Sequence, residues 1–243
     1  DEVYIGSSSS TANELCVELL QRAFDIELEH VSSGTLARTY ATEYQLLDRL
    51  FDVSPAAFTD EDGAGGVTWW NGMAENYDYL GNEFLLWLWW QWETKSDTLK
   101  LSDDTQVSGI FARTLLLDCP RGESGKDTIS AEFPIALPEA SFAIKSGKLP
   151  RKAGLTLVRD GEQYDFNLQA ERFAVGSAKI SRVGEDGPMD PTERLQGLRN
   201  LSETLDLLFD AFCDRRLGDQ WKTELKSIRE WLKTDKVIRR RAA

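Results

Sequence analysis

Leu80-Gly81-Asn82-Glu83-Phe84-Leu85-Leu86-Trp87-Leu88-Trp89-Trp90-Gln91-Trp92 is the stretch on which the fold turns. It carries four of the chain's eight tryptophans. A membrane-spanning helix needs roughly 20 apolar residues, and Phe84 to Trp92 offers nine positions with a glutamine among them. Leu85, Leu88, Trp89 and Trp92 follow the spacing i, i+3, i+4, i+7 and so share one helix face. Phe84, Trp87 and Trp90 cover another. A helix apolar nearly all round belongs inside a protein. The expected structure is a central core helix. The alternative is that part of the tryptophan surface meets a partner or a second copy.

Upstream of this helix, Val3-Tyr4-Ile5 suggests a short strand ending at Gly6. Thr11 with Glu14 has the form of a capping box, opening a helix to about Phe24 with Leu15, Leu19 and Ala23 on its inner face. Ile26 to Val31 alternates apolar and charged residues, as a half-exposed strand does. Residues 35–51 carry Leu36, Tyr40, Leu47 and Leu50 at helical spacing. Asp60-Glu61-Asp62-Gly63-Ala64-Gly65-Gly66 is an acidic, glycine-rich loop without the aspartate spacing of a calcium site.

Downstream the pattern becomes one of short strands: Ile110 to Leu117, Thr128 to Phe133, Ser141 to Ile144, Ala153 to Val158, Gln163 to Leu168 and Ala174 to Ile180. Turn signals such as Asp160-Gly161 separate them. After the break Gly184-Glu185-Asp186-Gly187-Pro188, two helices are expected, Pro191–Leu217 and Asp219–Arg239. Leu195, Leu198, Leu201, Leu205, Leu208 and Phe212 form a stripe on the first. Trp221, Leu225, Ile228 and Leu232 do so on the second. The expected fold class is α+β. Its parts are a strand–helix–strand unit with a second helix (1–60), an acidic linker (61–73), a tryptophan helix with an antiparallel sheet (74–183) and a C-terminal helical pair (184–243).

The 243 residues are 41% hydrophobic and 28% charged, as in ordinary globular proteins. The chain opens on Asp1 rather than Met, from which we expect a piece of a longer protein. Three distant cysteines, Cys16, Cys119 and Cys213, suit free thiols in a reducing cytoplasm. One histidine, His30, leaves little for imidazole chemistry or a zinc site. Gly122-Glu123-Ser124-Gly125-Lys126-Asp127 fails as a phosphate loop, because Pro120 replaces the first glycine and Asp127 the Ser or Thr after the lysine. No cofactor, metal site or catalytic residue is expected.

The net charge of −13 is unevenly spread. Residues 1–120 hold 6 Lys+Arg against 21 Asp+Glu, while residues 121–243 hold 22 against 20. Lys145, Lys148, Arg151, Lys152 and Arg159 cluster about the segment Ser146–Pro150. On the last helix Lys222, Lys226, Arg229, Lys233, Lys236 and Arg240 fall on one face, offset from the apolar stripe. Phosphate contact is one reading of these cations. A solvated face that offsets an acidic protein is the other.

The stretch Leu80–Trp89 resembles the LG-x-EFL-x-WLW segment of the recombination-associated protein RdgC family. Ile144-Lys145-Ser146-Gly147-Lys148-Leu149-Pro150-Arg151-Lys152-Ala153-Gly154-Leu155-Thr156-Leu157 is similar to that family's GK-x3-K-x-x-L segment, with Lys148 and Lys152 in place of its two lysines. Tyr164–Leu168, Ala178–Ile180 and the paired C-terminal helices continue in the same order. The likeness covers about the last two-thirds of a family member. It implies a cytoplasmic, nucleoid-associated, non-enzymatic protein. Such a protein is a homodimer that encircles double-stranded DNA without sequence preference and restrains a RecA-type recombinase. The expected DNA contacts are Lys145, Lys148, Arg151, Lys152, Lys222, Lys226, Arg229, Lys233, Lys236 and Arg240. The alternative is an acidic protein-interaction module that keeps the fold without binding DNA. No membrane partner is expected.

Overall fold

The computed structural model describes residues 3–7, 9–59, 76–120, 125–182 and 189–234. The acidic linker at 61–73 and the break at Gly184–Pro188 lie outside them, as do Lys236 and Arg240. Contacts separate residues 1–31 from residues 32–243.

In the first unit, α1 (Ser10–Phe24) forms as the apolar spacing requires. Ser9 rather than Thr11 caps it, its side chain accepting from the amide of Ala12 at 3.3 Å. Leu15 and Leu19, expected inside, are 53% and 63% exposed. The strands expected at Val3–Ile5 and Ile26–Val31 are absent, since neither segment has a partner strand in the unit. Alternation alone cannot hold a strand whose backbone groups go unpaired.

The second unit starts with α2 (Ser33–Glu43) and α3 (Leu47–Phe51). These replace the single helix expected over 35–51, because Gln45 turns into the left-handed region at φ 58°. Then come α4 (Leu80–Thr94), β1 (Thr98–Lys100), β2 (Gln106–Asp118), β3 (Asp127–Ala131), a 3-10 turn (Pro134–Ala136), α5 (Pro138–Lys145), β4 (Leu149–Arg159), β5 (Glu162–Gln169), β6 (Ala174–Arg182), α6 (Pro191–Leu217) and α7 (Trp221–Lys233). The strand expected over Ser141–Ile144 is the end of α5. Pro138 starts that helix, and Ala140, Ala143 and Ile144 bury at helical spacing. The six strands form one antiparallel sheet in the order β1-β2-β4-β5-β6, with β3 also on β2. The β4–β5 turn is Asp160-Gly161, with φ 51° and 79°, the left-handed pair that a tight hairpin needs.

The tryptophan helix is the hub. Every residue from Phe84 to Trp90 is at most 3% exposed, so this surface is core and not an interface. Phe84 packs against Phe173, Phe209 and Phe212, and Trp89 against Phe111 and Trp231. Each residue at the helix start has a task. A Cβ on Gly81 would lie 2.0 Å from the Ala170 carbonyl oxygen, so only glycine lets the helix approach the chain leaving β5 this closely. Asn82 donates to the Pro150 carbonyl at 2.8 Å and to Glu171 at 3.2 Å. Glu83 accepts from the amide of Ala56 at 2.7 Å and from Arg216 on α6 at 2.6 Å, both charges being almost fully buried.

All the helices of this unit lie on one face of the sheet. Val107, Phe111, Leu115, Leu155, Leu157, Tyr164, Phe166 and Leu168 point to them. Ile180 of β6 also faces that side, against Gly197 of α6. Along α6, Leu201, Leu205, Leu208 and Phe212 are buried, while Leu195 and Leu198 are 46% and 41% exposed. On α7, Trp221, Ile228 and Leu232 are buried as the spacing predicts. No helix among the described residues is long and apolar enough to cross a membrane.

Candidate nucleic-acid interface

The basic cluster around Ser146–Pro150 does not form one open surface. Residues 146–148 make the tight link from α5 into β4, and alternation along β4 then sends Arg151 to one face and Lys152 to the other. Lys148, expected in solvent, is only 9% exposed and its ammonium donates to Asp127 at 2.7 Å. Arg151 donates to Glu171 and, at 3.1 Å, to Asp118. Burial alone favours its neutral form, but these two carboxylates hold its pKa above the ordinary value. Arg159 is also buried, donating to Asp103, Thr105 and Thr204. Lys148 and Arg151 are therefore corrected from phosphate ligands to structural ion-pair partners. Their partners lie far along the chain, where sequence spacing could not find them.

Lys145 sits near the end of α7, beside a small cleft that Trp231, Leu232 and Thr234 share. Lys152 alone of the cluster is exposed without a side-chain partner. On α7 the helical face forms as expected, with Lys222, Lys226 and Lys233 exposed. Lys226 lies 4.0 Å from Glu230. Arg229 turns inward and donates to the Ala57 carbonyl at 2.7 Å, which removes it from the set. Since α7 packs in the helical layer and Lys152 lies on the opposite side of the sheet, the two groups do not line one surface.

Arg113 and Lys179 lie on the same side of the sheet as Lys152. Register is broken between Phe111 and Leu115 of β2, where Arg113 takes φ 66°. This bulge aims Arg113 across the sheet, 64% exposed, to 3.5 Å from Asp165 of β5. Lys179 of β6 pairs in register with Asp165 and is exposed without a side-chain partner. Sequence reading missed both because it looked for runs of charge. The signal was single cations at outward positions of strands.

A cleft of about 440 Å³ lies where the β4–β5 turn meets α6, lined by Arg159, Glu162, Tyr164, Arg182, Asn200 and Glu203 among others. Its groups satisfy one another: Glu162 accepts from Tyr164 and Asn200, and Arg182 pairs with Glu193. Among the described residues no cluster of three or more His, Cys, Asp or Glu could hold a metal. The cysteines are free, with Cys119 and Cys213 buried and Cys16 half-buried.

Among known proteins, no family model, curated protein or solved structure matches this chain.

Proposed function

We propose that the chain is a non-enzymatic, RdgC-like protein that binds double-stranded DNA without sequence preference. It acts as a homodimer and tempers a RecA-type recombinase in the nucleoid of the cytoplasm. The observation that carries this reading is that a chain of net charge −13 still presents exposed cations that no carboxylate neutralises, Lys152 and Lys179 foremost. Phosphate contacts made this way hold the backbone and carry no base information. The resemblance of Leu80–Trp89 and Ile144–Leu157 to the family supplies the partner and the dimer. Fluorescence anisotropy with unrelated duplexes tests it: similar affinities that fall steeply with salt are expected. No binding at about 50 mM salt, where such contacts are strong, rejects it.

One observation favours a second reading. Asp118, Asp127 and Glu171 reach the cations around Ser146–Pro150 and neutralise Lys148 and Arg151. An acidic protein-interaction module would look the same there. It is the reading left standing if every duplex fails to bind.

A further inference from the structure

We propose that the face of the sheet opposite the unit's helices, centred on Arg113, Lys152 and Lys179, is the surface that grips the phosphate backbone of duplex DNA. This rests on the DNA-binding reading above and names its site; of these three cations the sequence reading expected Lys152 alone as a contact, among others around Ser146–Pro150 and on α7.

The three cations come from β2, β4 and β6, separate strands of one sheet. The fold therefore fixes the spacing of the strands that carry them. Lys152 pairs in register with Gln169, and Lys179 pairs with Asp165, itself opposite Thr156. With strands about 4.8 Å apart and about 3.4 Å per residue, Lys152 and Lys179 stand about 17 Å apart, with Arg113 nearest the middle. That span of B-DNA carries about ten phosphate charges on its two strands, at one per about 1.7 Å.

The charge of this face opposes that of the whole molecule. Its central carboxylate, Asp165, is 6% exposed and already accepts from Thr156 at 2.6 Å and from Gln163 at 3.3 Å. It steadies Arg113 without presenting an open negative charge. Between the cations stand Thr156, Asn167 and Gln169, neutral groups able to bond phosphate and sugar oxygens. The face carries no aromatic side chain among its described residues, because Phe111, Tyr164 and Phe166 all point to the helices. Single-stranded nucleic acid is held chiefly by bases stacked on aromatic rings. The outward groups also include Ile110, 41% exposed, and the half-buried Leu116 and Val158; a face without aromatic rings suits a duplex read through its backbone.

The test compares anisotropy of labelled duplexes with the full chain and two variants, Lys152→Glu/Lys179→Glu and Lys222→Glu/Lys226→Glu. All four lysines are exposed, and melting curves check that each variant folds. The sheet variant should lose roughly tenfold or more in affinity for every duplex. Its slope of log K against log salt should fall by about two units per protomer, about one for each lost contact. The α7 variant should bind nearly as wild type. Equal binding by wild type and the sheet variant overturns the site while leaving the function. So does a loss confined to the α7 variant. Tighter binding of single-stranded than of duplex DNA also overturns it. Displacement of DNA by polyglutamate at matched charge assigns the face to an acidic protein and overturns it as well. No binding of wild type to any duplex overturns function and site together.

Discussion

Lys148 and Lys152 are four residues apart in sequence and alike in the resemblance, yet they stand in opposite environments. Lys148 is buried against Asp127, whose side chain is 46% exposed, whereas Lys152 faces solvent. Lys148→Glu would set two carboxylates against each other in a site with little water. A half-open pair is worth less than a fully buried one, so a cost of about 1–3 kcal/mol is expected. For a chain of this size that is a fall in Tm of several degrees, at about 2–4 °C per kcal/mol. Lys152→Glu should leave Tm within about one degree, as exposed charges usually do. Thermal melts of the two single variants check this. Equal shifts would show that Lys148 is not held as described.

At the scale of elements, α6 makes two electrostatic contacts of opposite kind. Against α4 it buries Arg216, which pairs with Glu83, donates to the Ser54 carbonyl at 2.7 Å and stacks on Trp221. Removing one partner strands the other without water. Glu83→Ala should cost about 3–5 kcal/mol in a denaturant titration, and a loss below about 1 kcal/mol would show that water reaches the pair. Against α2 it sets Asp210 near Glu43. Burial first, and Glu43 second, push the Asp210 carboxyl up to about 6 from an ordinary 3.8. The folded state thus favours protonated Asp210. Its stabilising contribution is complete below about pH 4 and is lost as pH rises through about 6. Asp210→Asn should raise Tm at pH 7–8 and have little effect near pH 4. A pH-independent shift would assign the effect to packing instead.

The whole molecule is acidic, and among the described residues Lys152 and Lys179 are cations open to a polyanion. If Arg113, Lys152 and Lys179 each neutralise one phosphate, log K should fall against log salt with a slope of about −2.7 per protomer, at −0.9 per contact. Two protomers on one duplex double it. A slope near zero would mean that binding, if seen, is not electrostatic. A slope far steeper would require the α7 lysines to take part.

Local pattern determined more of the fold than of the site. The apolar run at Leu80–Trp92 specified a buried helix, because a segment that can bury on every side has no stable place in water. Pro191–Leu217 and the Asp160-Gly161 turn were likewise readable, since a capping residue, an apolar stripe and left-handed backbone preference act within a few residues. Ser141–Ile144 was misread because a run of four residues does not distinguish a strand from the end of a short helix. The N-terminal strands failed for another reason: pairing, not alternation, makes a strand. Which cations are free was decided by tertiary structure alone. Asp118, Asp127 and Glu171 reach Arg151 and Lys148 only after β2, β3 and β4 pair and the chain turns beyond β5. The bulge that turns Arg113 across the sheet exists only in the register of β2 on β4. Charge acts through space over a few ångströms, and sequence records only its order along the chain.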